Sequence, residues 1–181
     1  AVNAVDRTLK IGAQETVDNY AYAIWDAIDA LEVKPAVDPV LVAAEGSTTI
    51  IDDERGFIYG LVDADVKAIT DLVADGFAAV EGDGYVEYTF VGDNTNLGTG
   101  AKVELKRNSD NSVVKTYYIV IFGDNNGDGY IGTGDVVDLI NYAAWNDCKY
   151  DYEDFTVPQV FAMDLDANGI VSTGDAFYVT A

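Results

Sequence analysis

Between Asp124 and Asp135 the chain reads Asp-Asn-Asn-Gly-Asp-Gly-Tyr-Ile-Gly-Thr-Gly-Asp. The same twelve-position frame returns from Asp164 to Asp175 as Asp-Leu-Asp-Ala-Asn-Gly-Ile-Val-Ser-Thr-Gly-Asp. Oxygen-bearing side chains occupy positions 1, 3, 5 and 12, and a glycine occupies position 6. This is the spacing of a loop that wraps a hard cation such as Ca2+. In the first loop the side-chain ligands are Asp124, Asn126, Asp128 and Asp135, with the Tyr130 carbonyl at position 7. In the second they are Asp164, Asp166, Asn168 and Asp175, with the Ile170 carbonyl at position 7. The position-6 glycine permits the sharp turn that gathers these oxygens. Ile131 and Val171, at position 8, should point inward to a core. Each loop brings three carboxylates together, so their mutual repulsion links folding to ion binding. Two Ca2+ sites are expected.

Composition narrows the remaining choices. Ten Lys+Arg stand against 32 Asp+Glu, a formal charge of -22, which argues against nucleic acid and anionic lipid as partners. Surface acid also keeps a protein soluble. A hydrophobic fraction of 49% excludes a disordered chain. Histidine is absent and Cys148 is the lone cysteine, so no zinc site, catalytic histidine or internal disulfide framework can be built. Cys148 is expected to be a small structural residue. No apolar run approaches the roughly 20 residues that span a bilayer. The start at Ala1-Val2-Asn3, without a signal-like segment, leads us to expect a fragment of a larger exported protein, secreted or held at a cell surface.

Three modules are expected along the chain. In residues 1–37, Val17, Ala21, Ile24, Ile28 and Leu31 form one apolar stripe of a helix, ended by Pro35 and Pro39. Residues 38–122 switch to short apolar or alternating runs: 40–43, 49–51, 57–59, 85–90, 102–106 and 113–122. Asp110-Asn111-Ser112 reads as a hairpin turn. Val66, Ile69, Thr70 and Val73 fit one intervening helix, with Gly76 as its stop. About seven strands suggest an antiparallel, Ig-like β-sandwich. Tyr85, Tyr88, Tyr117 and Tyr118 could form a sugar-stacking platform, but aromatics more often fill sandwich cores, and Tyr85 and Tyr88 differ in strand parity. Residues 123–181 form the calcium module.

A helix–loop–helix calcium sensor is the first comparison for the two loops. The segment entering loop 1, Thr116 to Phe122, is β-branched and aromatic and reads as a strand. Position 12 is Asp in both loops, where a sensor carries bidentate Glu. Asp135 instead opens a helix over 135–146, with Val136, Leu139, Ile140 and Ala143 as its apolar stripe.

This loop-plus-exiting-helix unit, duplicated in tandem, resembles a type I-like dockerin, the calcium module that plugs enzymes and scaffold proteins of fibre-degrading anaerobic bacteria into cohesins. The preceding β-region resembles the X-type modules that often stand before dockerins. The first helix, around Gln14–Asp18 and Ala27–Leu31, resembles the last helix of FIVAR-type repeats of surface proteins. The resemblance implies a cohesin-bearing scaffold protein as partner in a cellulosome-like or cell-surface assembly. It implies that Thr133, Gly134, Thr173 and Gly174, at loop positions 10 and 11, take part in partner selection with Ile140 and Asn141 on the first helix. The chain departs from that pattern in several places. Glycine stands at position 11, no Lys-Arg pair follows on the first helix, residues 147–156 lengthen the repeat spacing, and the second helix stops at Ala181.

The expected function is therefore non-catalytic, calcium-dependent attachment. The alternative is a calcium-stabilised structural module of a surface adhesin that has no cohesin partner. Paired carboxylates could in principle hydrolyse glycosides, but the best-placed acids are those assigned to calcium, and no enzyme activity is expected.

Overall fold

The computed structural model describes residues 14–30, 37–61, 69–144 and 157–179. Two compact units separate at Ala36/Val37. The first contains α1, Gln14–Asp29, with no buried residue. Of the expected stripe, Ile24 is half-buried while Val17, Ala21 and Ile28 are exposed. Leu31 lies outside the described residues.

The second unit begins with seven strands: β1 Val40–Ala43, β2 Ile50–Asp52, β3 Phe57–Tyr59, β4 Ala78–Glu81, β5 Gly84–Thr89, β6 Lys102–Arg107 and β7 Val113–Ile119. They form a two-stranded sheet, β1-β4, and a five-stranded sheet in the order β2-β3-β7-β6-β5. β6 shows why a strand forms here. Val103 and Leu105 are buried, while Lys102, Glu104 and Lys106 alternate onto the opposite face. There Lys106 reaches Glu87 at 2.6 Å and Glu104 at 3.3 Å. These exposed pairs are screened and matter more for register than for stability.

The expected all-antiparallel arrangement is corrected at one joint. β3 runs parallel to β7, with Phe57 opposite Tyr118 and Ile58 opposite Ile119. Three strands lie between them in sequence, so no tight turn dictates antiparallel pairing. The result is one mixed sheet and one small antiparallel sheet whose buried side chains join a single cluster. That cluster includes Leu41, Ile58, Leu72, Val103, Leu105, Tyr117 and Ile119. The turn at 110–112 is formed as expected, with Asn111 in the left-handed region (φ 58°) and the Ser112 amide donating to Asp110 Oδ1 at 3.0 Å.

A second correction concerns the intervening helix. Val66 lies outside the described residues, but Ile69–Gly76 forms side-chain-closed turns rather than helix. Asp71 Oδ1 accepts the amides of Val73 and Ala74, and Asp75 Oδ2 accepts those of Thr70 and Asp71. Short acidic side chains compete here for the amides a helix would use. Of the four tyrosines weighed as a platform, Tyr117 is core and Tyr88 packs against it. Tyr85 pairs with Lys106 on the other parity, and Tyr118 is exposed. They share no face.

After β7 the chain passes Phe122 into the first loop and then into α2, Thr133–Ala143. This helix starts two positions before Asp135, and its predicted end at 146 lies outside the described residues, as do Cys148 and 147–156. A further short helix, α3, Val157–Met163, enters the second loop. Pro158 sits in its first turn, where a missing amide costs nothing. Phe161 of α3 rests on Phe57 at 5.3 Å and Phe122 at 5.5 Å between ring centres, tying the loops to β3. The chain then ends its described course in one 3-10 turn, Asp175–Phe177. A full second helix is not formed there.

Because Leu105 is 1% exposed at the centre of the β-core, Leu105→Ala should destabilise the protein by about 2–5 kcal/mol. Tyr118→Ala, at 39% exposure, should cost much less. Urea titration of both variants checks the order.

Candidate metal centres

The two loops share a frame of internal hydrogen bonds. At position 12, Asp135 Oδ1 accepts the amides of Asn125 and Asn126 at 2.8 and 3.2 Å. Asp175 Oδ1 accepts those of Leu165 and Asp166 at 3.0 and 3.2 Å. The position-9 amide, Gly132 or Ser172, donates to Oδ2 of the same residue at 2.8 Å in each loop. The position-6 glycine donates to position 1, Gly129 to Asp124 Oδ2 at 3.1 Å and Gly169 to Asp164 Oδ2 at 2.9 Å. Position 5 donates to positions 1 and 3 in both loops. Position 7 donates to position 5 in both, Tyr130 to Asp128 and Ile170 to Asn168. Even the amide-to-carboxylate pair at 3 and 5 recurs with its partners exchanged, Asn126 to Asp128 and Asn168 to Asp166. Chains of amide donors turned onto carboxylates curl each loop around its own acids.

Position 12 has a second task. Gly132 is the N-cap of α2, and Asp135 at the third helical position returns a bond to its amide. The carboxylate that closes the loop therefore also starts the helix. Position 8 behaves as expected. Ile131 and Val171 both pack on the cluster of Leu139, Met163 and Val179.

The loops differ in surroundings. Asp124 is fully buried, whereas Asp164 is half-buried and Asp166 exposed. Burial, with the charges of Asp135 and Asp128 adding to it against the opposing amides, pushes the Asp124 carboxyl up to about 7. Burial likewise raises Asp135. Asp175 goes the other way. Its burial is outweighed by the amides of Ser172, Asp166 and Leu165, and its carboxyl falls below the usual value.

The two loops offer a divalent cation different settings. In loop 2, carboxylate oxygens of Asp164, Asp166 and Asp175 all lie within 4.8 Å of one another. That is the separation expected of ligands on one ion at about 2.4 Å from each. Among the described residues only loop 2 gathers three carboxylates so closely; in loop 1, Asp124 is buried against the charges of Asp135 and Asp128, an arrangement a cation would neutralise. The all-oxygen donor set is that of Ca2+ rather than of zinc. The Tyr130 and Ile170 carbonyls, at position 7, complete the predicted set.

The residues assigned to partner selection are placed as follows. Thr133, Gly134, Thr173 and Gly174 are exposed, Ile140 is 39% exposed, and Asn141 is half-buried. Sequence reasoning missed Val137 and Phe177, which occupy position 14 of each repeat and are 54% and 82% exposed. Their equivalence was available from the repeat alone. It also missed Thr99 and Asn94, which reach loop 1 from the β-region; nothing in a sequence marks that approach. Comparison with family models, with curated proteins and with solved structures gave no match.

The raised Asp124 carboxyl fixes the sign of a pH effect. A folded value above the ordinary 3.8 makes its contribution fullest at acid pH and loses it as pH rises toward 7. Metal-free protein should lose more melting temperature between pH 5 and 8 than metal-free Asp124→Asn. Parallel profiles for the two would remove this account of Asp124.

Proposed function

We propose that this chain is a non-catalytic attachment module in which a dockerin-like pair of Ca2+ loops presents a protein-binding face to a cohesin of a secreted or cell-surface assembly. The β-region is its X-type companion. The observation that carries this reading is the shared hydrogen-bond frame of the two loops, at positions 1, 3, 5, 6, 7, 9 and 12, each leading into an exposed Thr-Gly edge and an exposed apolar side chain at position 14. Asp124, Asn126, Asp128 and Asp135, with the Tyr130 carbonyl, would hold one Ca2+. Asp164, Asp166, Asn168 and Asp175, with the Ile170 carbonyl, would hold the other. A bound ion would neutralise converging charge and fix loop shape. It would supply no chemistry to a substrate.

Recognition then rests on this chain's own side chains. Asp135 sets the start of α2, so closing loop 1 fixes the azimuth of Ile140 and Asn141. Thr133 and Gly134 border that face, and Thr173 and Gly174 form the equivalent border of the second repeat. No helix among the described residues is long and apolar enough to cross a membrane, and no membrane role is proposed. The adhesin reading keeps both ions and drops the partner. The packing of loop 1 against the β-region favours it to that extent, because calcium would then serve stability alone.

With free Ca2+ at 100 times Kd, each site should add about 2.7 kcal/mol of stability, read as a rise in melting temperature that chelator reverses. Calorimetry against a panel of cohesins should show binding with Ca2+ and none with chelator. Ile140→Asp should weaken that binding at least about tenfold, roughly 1.4 kcal/mol. Calcium stabilisation without any cohesin binding would select the adhesin reading.

A further inference from the structure

One wall of loop 1 comes from outside the twelve-residue frame. The segment Asn94–Thr99, between β5 and β6, lies directly on it. The Thr99 amide donates to Asp124 Oδ2 at 2.8 Å, and Asn94 Nδ2 donates to the Gly127 carbonyl at 2.9 Å. Thr99 itself is held from the strand side, its Oγ1 donating to the Ile121 carbonyl at 3.1 Å and accepting the Ile121 amide at 3.0 Å. Packing leaves no slack. A Cβ at Gly98 would overlap the Gly127 carbonyl and sit 2.6 Å from the Gly129 nitrogen, and one at Gly129 would lie 3.2 Å from Asn96 Cβ. At the equivalent position-6 glycine of loop 2, Gly169, a Cβ would meet nothing within 4 Å.

We propose that the Asn94–Thr99 segment is an integral part of calcium site 1, positioning the Asp124 ligand and excluding water, so that the two repeated sites are unequal. Site 1 is the tighter site, and its occupancy stabilises the β-region. Site 2, built only from its own loop, binds more weakly. This inference rests on the calcium reading above. Thr99 and Asn94 are positioning residues, acting on the ion only through Asp124 and the Gly127 carbonyl. The mechanism is orientation. A donor supplied from outside the loop fixes the rotation of the Asp124 carboxylate, and outer partners of this kind commonly tune metal affinity by ten- to hundredfold. Loop 2 has no such outside donor to Asp164 among the described bonds; its position-1 carboxylate is met by Asn168 and Gly169 of its own loop.

The test isolates each site in the full chain. Asp164→Ala with Asp166→Ala leaves site 1, and Asp124→Ala leaves site 2. Calorimetric Ca2+ titration should find site 1 at least tenfold tighter. In the site-1 background, Gly98→Ala should lower affinity at least tenfold, and Asn94→Ala, which removes one bond without adding bulk, severalfold. Neither should change site 2. Hydrogen exchange of β6 and β7 should slow on Ca2+ addition in the site-1 background only. If Gly98→Ala does not fold, Asn94→Ala and the exchange measurement decide. Unchanged site-1 affinity, or equal losses at both sites, overturns the inference and leaves the calcium reading intact. Absence of Ca2+ binding in both backgrounds and in the unsubstituted chain removes the calcium reading, and this inference with it.

Discussion

The Asp124 carboxylate is the contact on which the C-terminal part of the structure depends. It is fully buried, and its oxygens accept amides from Gly127, Asp128 and Gly129 of its own loop and from Thr99 of the β-region. A buried carboxylate beside two further acids is costly unless its charge is answered. Backbone amides answer part of it here. Because one of them belongs to the β-region, the cost and its relief are shared between parts of the chain that the sequence presents as separate modules. The Phe57–Phe161 contact and the packing of Ile131 against both apolar clusters carry the same union through the core.

A repeated sequence thus does not make repeated environments. Both loops share one frame of internal bonds, yet the position-12 carboxyl is raised by burial in loop 1 and lowered by its amides in loop 2. The cause lies in what precedes each loop. A strand, anchored in a five-stranded sheet, delivers the chain to Asp124. A seven-residue helix delivers it to Asp164, which leaves the outer side of loop 2 open. Position 4 shows the difference in miniature. Gly127 is pressed by the Thr99 carbonyl and Val91, while loop 2 carries Ala167 in the same left-handed region (φ 56°). Only an uncrowded loop can carry a side chain there.

The loops were legible because their chemistry is local. Twelve residues contain their own donors, acceptors and turn, so spacing alone locates the residues that the loop's internal bonds join. Strands with strict alternation, such as 102–106, were legible for the same reason. What was hidden depends on contacts distant in sequence. The parallel β3–β7 pairing joins segments with no turn between them. β4 escaped because Ala78-Ala79-Val80-Glu81 has weak strand character and owes its place to pairing with β1. The 69–76 stretch has helical spacing, but Asp71 and Asp75 take its amides, a local competition that hydrophobic periodicity does not register. α3 was likewise invisible, since seven residues with a proline and no clear stripe are helical only through Ala162, Met163 and Phe161 finding buried partners.

Asp135 joins loop 1 to the proposed recognition face. Its carboxylate takes the amides of Asn125 and Asn126 at the loop's entrance and that of Gly132 at the start of α2. Any shift of the loop must therefore turn the first helical turn with it, and Val137 and Ile140 beyond. The second repeat has the same carboxylate in Asp175 but only a 3-10 turn to orient. Its exposed groups, Thr173 and Phe177, lie within two residues of that acid and can be set by the loop alone. A rigid helical face in one repeat and a short loop-borne edge in the other then follow from one motif in two settings. In an attachment module of this design the two faces would be related in sequence without being interchangeable in binding. The first would be strengthened by the β-region through Thr99 and Asp124, and the second by whatever partner closes over it.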